Sequence, residues 1–252
     1  MIVIKFGGHA MGENSSHWMA EIAGRFNAGE RFVVVHGGGP QIDRELKARN
    51  VEKVVVDGFR VTTPEVMHVV EMVLTGEVLR SVVRSLNRAG LPAVGITGSD
   101  AGLLKVDFKD QEKFGLVGKI VKANPKLLND LMDMGYLPVV SPVANAANGA
   151  ALNINADIAA GAIAGSLRAN QMIFLTDVPG IYANWPDKES LIKKISVEDL
   201  SQKVFAEGMI PKVEAAINAV KLGALSARVI DGNSLAAFQS ALEGEGGTWI
   251  TP

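Results

Sequence analysis

FVVVHGGGPQIDRELKARN, residues 32–50, decides the fold class. Phe32 to His36 is a short apolar, β-branched run, the pattern of a strand covered on both faces. Three glycines follow, and Pro40 then opens a polar helical segment at the first position, where proline is well tolerated. The same order stands upstream, with IVIKF (2–6) followed by a polar stretch to about Gly29. Strand, helix, strand, helix implies a parallel sheet covered by helices. Further strand-like runs are PAVGI (92–96), YLPVVSPV (136–143), MIFLT (172–176) and ARVID (227–231), closed by Gly, Asp or Pro and mostly followed by helical pattern. Val66, Val69, Val70, Val73 and Leu74 recur on one helical face, which predicts a long helix from Glu65 to Arg88. Val51–Val61 and Leu103–Lys122 alternate and are interrupted by glycine, so both read as β-hairpin insertions placed to flank a ligand. The expected fold is α/β, an open and mainly parallel sheet between helices with hairpins over a site. The weakest boundary is near Asn170, giving an N-terminal lobe (1–170) and a C-terminal lobe (171–252) around a cleft.

Bulk composition narrows the partners. The 252 residues are 48% hydrophobic and 21% charged, which suits a folded globular chain and argues against disorder. A net charge of −2 with no block of like charge points to small molecules, not to nucleic acid or an anionic membrane. With no cysteine, disulfides, thiol catalysis and Cys-ligated zinc are excluded, and the four histidines show no metal-binding spacing. No apolar run approaches the roughly 18 residues of a membrane span, and Met1 leads directly into IVIKF without a signal-peptide pattern, so the expected compartment is the cytoplasm.

Several short motifs carry chemistry, each with a plainer reading beside it. HGGGP (36–40) lets backbone N–H groups approach an anion at a helix N-terminus, or is a tight strand-to-helix turn. Neither G-x-G-x-x-G nor G-x-x-x-x-G-K-[ST] occurs, which weakens Rossmann and P-loop assignments together. Lys5 sits in an apolar strand before Gly7 and Gly8 and needs a partner, unless its stem packs while its head reaches water. In LNINAD, Asn155 is a helix N-cap and Asp157 suits the first turn, while Asn153 is left over for a ligand. Lys212 falls in the first turn of a helix begun by Pro211, an unfavourable place for a cation unless an anion is held there. Asp177 in DVPG is a turn residue or a ligand-bordering carboxylate, and Arg60 is a solvated arginine or a clamp for a substrate carboxylate.

Taken in order, IVIKFGG, VVVHGGGPQI, DGFRVT, AVGITGSDAG, LNINADIAA, LTDVPGIY and GMIPKVEAA resemble the amino-acid-kinase superfamily, and within it the acetylglutamate kinases most closely, from Met1 nearly to Thr248. That resemblance implies an open parallel sheet with the acyl-amino acid held by the N-terminal part and ATP by the C-terminal part. It assigns Lys5 and Lys212 to the phosphoryl group in transfer, Asp157 to positioning both lysines, and Gly8, Gly38 and Gly39 to phosphate binding through backbone N–H groups. It assigns Arg60, Asn153 and Asn155 to the substrate and Asp177 to the border of the nucleotide site. The implied reaction, the second step of arginine biosynthesis, phosphorylates the side-chain carboxylate of N-acetyl-L-glutamate. It uses ATP with Mg²⁺ carried on the phosphates and no metal held by the protein. A carboxylate is already ionised at neutral pH, so no general base is needed. The chain departs from the pattern at GEVLR (76–80), where many members carry Asn-Lys. It begins at the first strand and has a short C-terminal segment, which implies a homodimer without strong arginine feedback. Rival readings are an aminoadipate-type carboxylate kinase of lysine biosynthesis, a substrate about one methylene different, and a non-catalytic amino-acid or nucleotide sensor on the same fold.

Overall fold

Strand β1 (Ile2–Phe6) is buried along its length, as an apolar strand covered on both faces must be. It sits inside the sheet of a computed structural model that describes residues 1–7, 15–205 and 209–252. After β1 come α1 (Ser15–Asn27), β2 (Phe32–His36) and α2 (Gly39–Ala48), then a hairpin of β3 (Val55–Val56) and β4 (Phe59–Arg60). A helical stretch follows as α3 (Pro64–Glu71), a π-helical segment (Met72–Val78) and α4 (Leu79–Arg88). The middle of the chain holds β5 (Ala93–Thr97), β6 (Leu104–Phe108), α5 (Gln111–Phe114), β7 (Gly118–Ala123), α6 (Lys126–Asp133) and β8 (Leu137–Ser141). Next are β9 (Val143–Asn145), β10 (Ala151–Asn153), α7 (Ala156–Ser166), β11 (Gln171–Thr176), β12 (Lys194–Ser196) and α8 (Val197–Ser201). The remainder is α9 (Ile210–Lys221), β13 (Ala227–Asp231), α10 (Leu235–Leu242) and β14 (Thr248–Thr251).

Eight strands form one sheet in the order β12-β14-β13-β11-β1-β2-β8-β5, parallel except where β14 runs antiparallel to β13. β11, the first strand beyond the expected lobe boundary, pairs directly with β1, so the sheet is continuous across that point. The two-residue period of a strand sorts its side chains between two cores. Val3 and Val33 pack with α6, α7 and α9 on one face, whereas Ile4 and Val34 pack with α1, α2, α4 and α10 on the other. α7 and α9 approach closely because small residues line their contact. A Cβ on Gly161 would lie 2.6 Å from the Ala215 carbonyl oxygen, so a larger residue there would push the helices apart.

Two expectations are refined. The helix over Glu65–Arg88 is present but widens to π geometry at Met72–Val78, where the Thr75 hydroxyl donates to the Glu71 carbonyl and Gly76 contributes no side chain. YLPVVSPV is not one strand. It breaks at Pro142, which has no N–H to continue a ladder, and the chain turns into a hairpin of β9 and β10. Both expected hairpins form: β3 and β4 meet through a two-residue turn, Asp57 and Gly58, each at positive φ, and β6 pairs with β7.

Candidate active site

A cleft of about 430 Å³ opens at the C-terminal ends of the parallel strands, around the point where the chain builds outward from β1 in both directions. Lys5 enters it from β1, Gly37 from the end of β2, Pro142 from the end of β8, Asp177 from the end of β11 and Asn233 from the end of β13. Three helices begin at its wall. Gly39 opens α2, Ala156 opens α7, and Lys212 is the third residue of α9. The N-cap residues of α2 and α9, Gly38 and Met209, make no side-chain cap, so the first amides of both helices remain available to an anion.

Lys5 lies on the same strand face as Val3, the face that α7 covers. The start of α7 is fixed by Asn155, whose side-chain oxygen accepts from the Asp157 and Ile158 amides at 2.9 and 3.1 Å. Asp157 therefore stands in the first turn, 2.9 Å from the Lys5 ammonium, with both side chains 10% exposed. The Asp157 oxygen in this pair makes no directed hydrogen bond among the described residues, so charge is what joins the two.

Arg60 ends β4 and turns its guanidinium to Asp43 on α2, whose other oxygen accepts from Lys53 at 2.7 Å. Burial works to raise the Asp43 carboxyl, but the hydrogen bonds from Lys53 and Arg60 and their charges hold it below the usual carboxylate value. Nη1 of Arg60 is buried with no hydrogen-bond partner among the described residues. Asn153 donates to the Thr62 hydroxyl at 3.1 Å, and that hydroxyl donates to the Arg60 carbonyl at 2.8 Å. Phe59, Leu74 and Val117 complete this side with apolar surface.

Lys212 and Asp177 also border a second cavity of about 650 Å³, walled by Val178, Tyr182, Trp185, Phe205 and Met209. The aromatic rings of Tyr182 and Trp185 meet edge-on at 5.3 Å. Lys5, Gly38, Gly39, Arg60, Asn153, Asn155, Asp157, Asp177 and Lys212 thus line one cleft, although they span most of the chain. Gly8 lies outside the described residues. Asp43, Thr62, Asn233, Tyr182 and Trp185 were not visible as site neighbours in the sequence. Only the DGN turn (231–233), in which the Asn233 amide donates to Asp231 at 2.8 Å, carried a recognisable signal, that of polar turn residues ending a strand.

His36, immediately before the glycines, is fully buried. Burial pushes its imidazole down from 6.5 to about 4, against a smaller raising effect of its 2.8 Å hydrogen bond to the Gly37 carbonyl. Since the folded state resists the proton that the unfolded chain accepts, this residue costs nothing above pH 6.5 and destabilises the fold as pH drops towards 4. Urea unfolding is expected to show wild-type stability falling about 3 kcal/mol more than that of His36→Gln between pH 7 and pH 4. Parallel pH profiles for the two proteins would refute this.

The amino acid kinase family model matches residues 1–231. The chain belongs to the amino acid kinase family. Among relatives, an acetylglutamate kinase from Corynebacterium efficiens is 44% identical over 242 residues, covering 92% of this chain and 80% of the relative. An acetylglutamate kinase from Nocardia farcinica is 43% identical over 264 residues, covering 100% and 87%. Of solved structures, smu.665 from Streptococcus mutans superposes with a TM-score of 0.86 at 29% identity, covering 99% of this chain and 98% of that one. Carbamate kinase from Giardia lamblia shares the fold, with a TM-score of 0.74 at 21% identity over 99% and 97% of the two chains.

Proposed function

We infer that this member of the amino acid kinase family transfers the γ-phosphoryl group of ATP to the side-chain carboxylate of N-acetyl-L-glutamate, as in arginine biosynthesis. The observation that carries the reading is the meeting of Lys5, Lys212 and three helix N-termini in one cleft that also holds Arg60. A carboxylate oxygen attacks the γ-phosphorus while the bond to the β–γ bridging oxygen breaks, giving N-acetyl-L-glutamyl 5-phosphate and ADP. No proton has to be removed, so catalysis consists of alignment and charge neutralisation. Lys5 and Lys212 offset the charge on the transferring group, Asp157 holds Lys5 in place, and the amides of Gly38 and Gly39 hold phosphate oxygens. Arg60, Asn153 and Asn155 hold the acyl-amino acid. Asn155 does so from its backbone or from the polar atom not used in capping α7.

ATP lies across the second cavity, its base against the apolar and aromatic wall near Tyr182 and its phosphates passing Asp177 and Lys212 into the cleft. Residues 1–170 then serve the acyl-amino acid and residues 171–252 the nucleotide. Mg²⁺ carried on the nucleotide phosphates would supply further charge neutralisation beside Lys5 and Lys212. The chain acts in the cytoplasm, where ATP is supplied, and as a homodimer; β5 at the end of the sheet leaves an edge on which a second copy can pair. The relatives that carry the acetylglutamate kinase name at 42–44% identity favour this substrate over an aminoadipate derivative and over a sensor role.

Trapping the acyl phosphate with hydroxylamine in the presence of Mg-ATP tests the reading. N-acetylglutamate is expected to yield hydroxamate, with little from glutamate, N-acetylaspartate or aminoadipate derivatives. Hydroxamate from an aminoadipate derivative alone, or from none of them, would refute it.

A further inference from the structure

The β3–β4 hairpin that carries Arg60 has only two residues in each strand, too few to hold its own orientation. The Lys113–Asp57 pair at 2.6 Å and the Phe59–Phe114 ring contact at 5.7 Å fix its turn and one face, and Asp43 fixes its Arg60 end. One carboxylate oxygen takes the Arg60 guanidinium at the end of β4, and the other takes Lys53, which precedes β3. Asp43 thereby grips the chain on both sides of the hairpin. It is also the fifth residue of α2, the helix that begins at the glycine turn. Four residues of helix rise only about 6 Å, so the glycine turn and this grip are joined by a short rigid rod.

Arg60 is well placed to be aimed in this way. Its side chain is 13% exposed and is engaged on one nitrogen by Asp43, while Nη1 is buried at the cleft without a hydrogen-bond partner among the described residues. A guanidinium has five N–H donors in a fixed plane, so fixing one edge sets the direction of the other. We propose that Asp43 is a positioning residue for the substrate carboxylate: by holding Arg60, it locks the carboxylate clamp to the helix that presents the phosphate-binding turn. The proposal rests on the reading of the cleft as an acylglutamate site. It assigns Asp43 no contact with substrate, and it makes Lys53 a dispensable second ligand.

Steady-state kinetics on the full chain separates these roles. Asp43→Asn, which keeps shape and removes charge, is expected to raise KM for N-acetylglutamate about 10-fold, with kcat within about threefold and KM for ATP within about twofold of wild type. Asp43→Glu, which moves the acid by one methylene, raises that KM only about threefold, and it carries the same test if Asp43→Asn does not fold. Lys53→Met leaves it within about twofold. In an Arg60→Lys background, Asp43→Asn adds little, because the group it aims is gone. An unchanged acetylglutamate KM in Asp43→Asn, or equal rises in both KM values together with a lowered melting temperature, would overturn the proposal while leaving the function intact. Absence of turnover in the wild-type protein would instead overturn the reading of the cleft, and this inference with it.

Discussion

Lys212→Ala is expected to lower kcat on the order of 10²-fold or more while the protein stays folded, and Lys5→Ala to do the same, since in the proposed mechanism each supplies one preorganised charge to the transferring phosphoryl group. The two should differ in what else they change. Lys212 is only partly buried and borders both cavities, so its loss should leave stability nearly untouched and should also weaken nucleotide binding. Lys5 is 8% exposed and paired with Asp157, so its loss strands a buried carboxylate and lowers stability as well. An assay coupled to ADP release reads the first effect and urea unfolding reads the second. Near wild-type turnover in either variant would remove that lysine from the mechanism.

Asp157→Ala is the mutation with the largest combined effect. It leaves the Lys5 ammonium buried at the end of β1 with no opposing charge, which is expected to cost about 3 kcal/mol of stability and to reduce kcat on the order of 10²-fold as the lysine drifts from its place. Stability and turnover can then be uncoupled. The double variant Lys5→Met with Asp157→Leu, apolar groups of similar size, is expected to recover most of the folding free energy and none of the activity. If Asp157→Ala were as stable as wild type, the 2.9 Å pair would be shown to do little for the fold.

Much of this was legible in the chain, for identifiable reasons. β1, β2, β11 and β13 are apolar runs bounded by glycine, aspartate or polar turns, and burial on both faces leaves such strands little freedom of composition. The β3–β4 turn declared itself through Asp57 and Gly58. β12 and β14, three and four residues long at one side of the sheet, carry too little pattern to be seen, and Pro142 divided a run that looked continuous. Within the site, the glycine turn, Lys5, Lys212 and the Asn-x-Asn-x-Asp motif could be picked out because each sets a charge or a backbone freedom where the local pattern does not require it. Asp43 and Thr62 could not be. An aspartate on an amphipathic helix and a threonine before a helix are ordinary in sequence, and their work appears only when α2, the hairpin and β10 come together.

In the proposed mechanism Lys5 and Lys212 bracket one phosphoryl group in flight. A crystal structure of the protein with ADP, aluminium fluoride and N-acetylglutamate would show whether they do. Both Nζ atoms are expected within about 3 Å of the fluoride ligands, with the substrate carboxylate in line opposite ADP. A complex in which either ammonium lies away from the aluminium centre would contradict that mechanism.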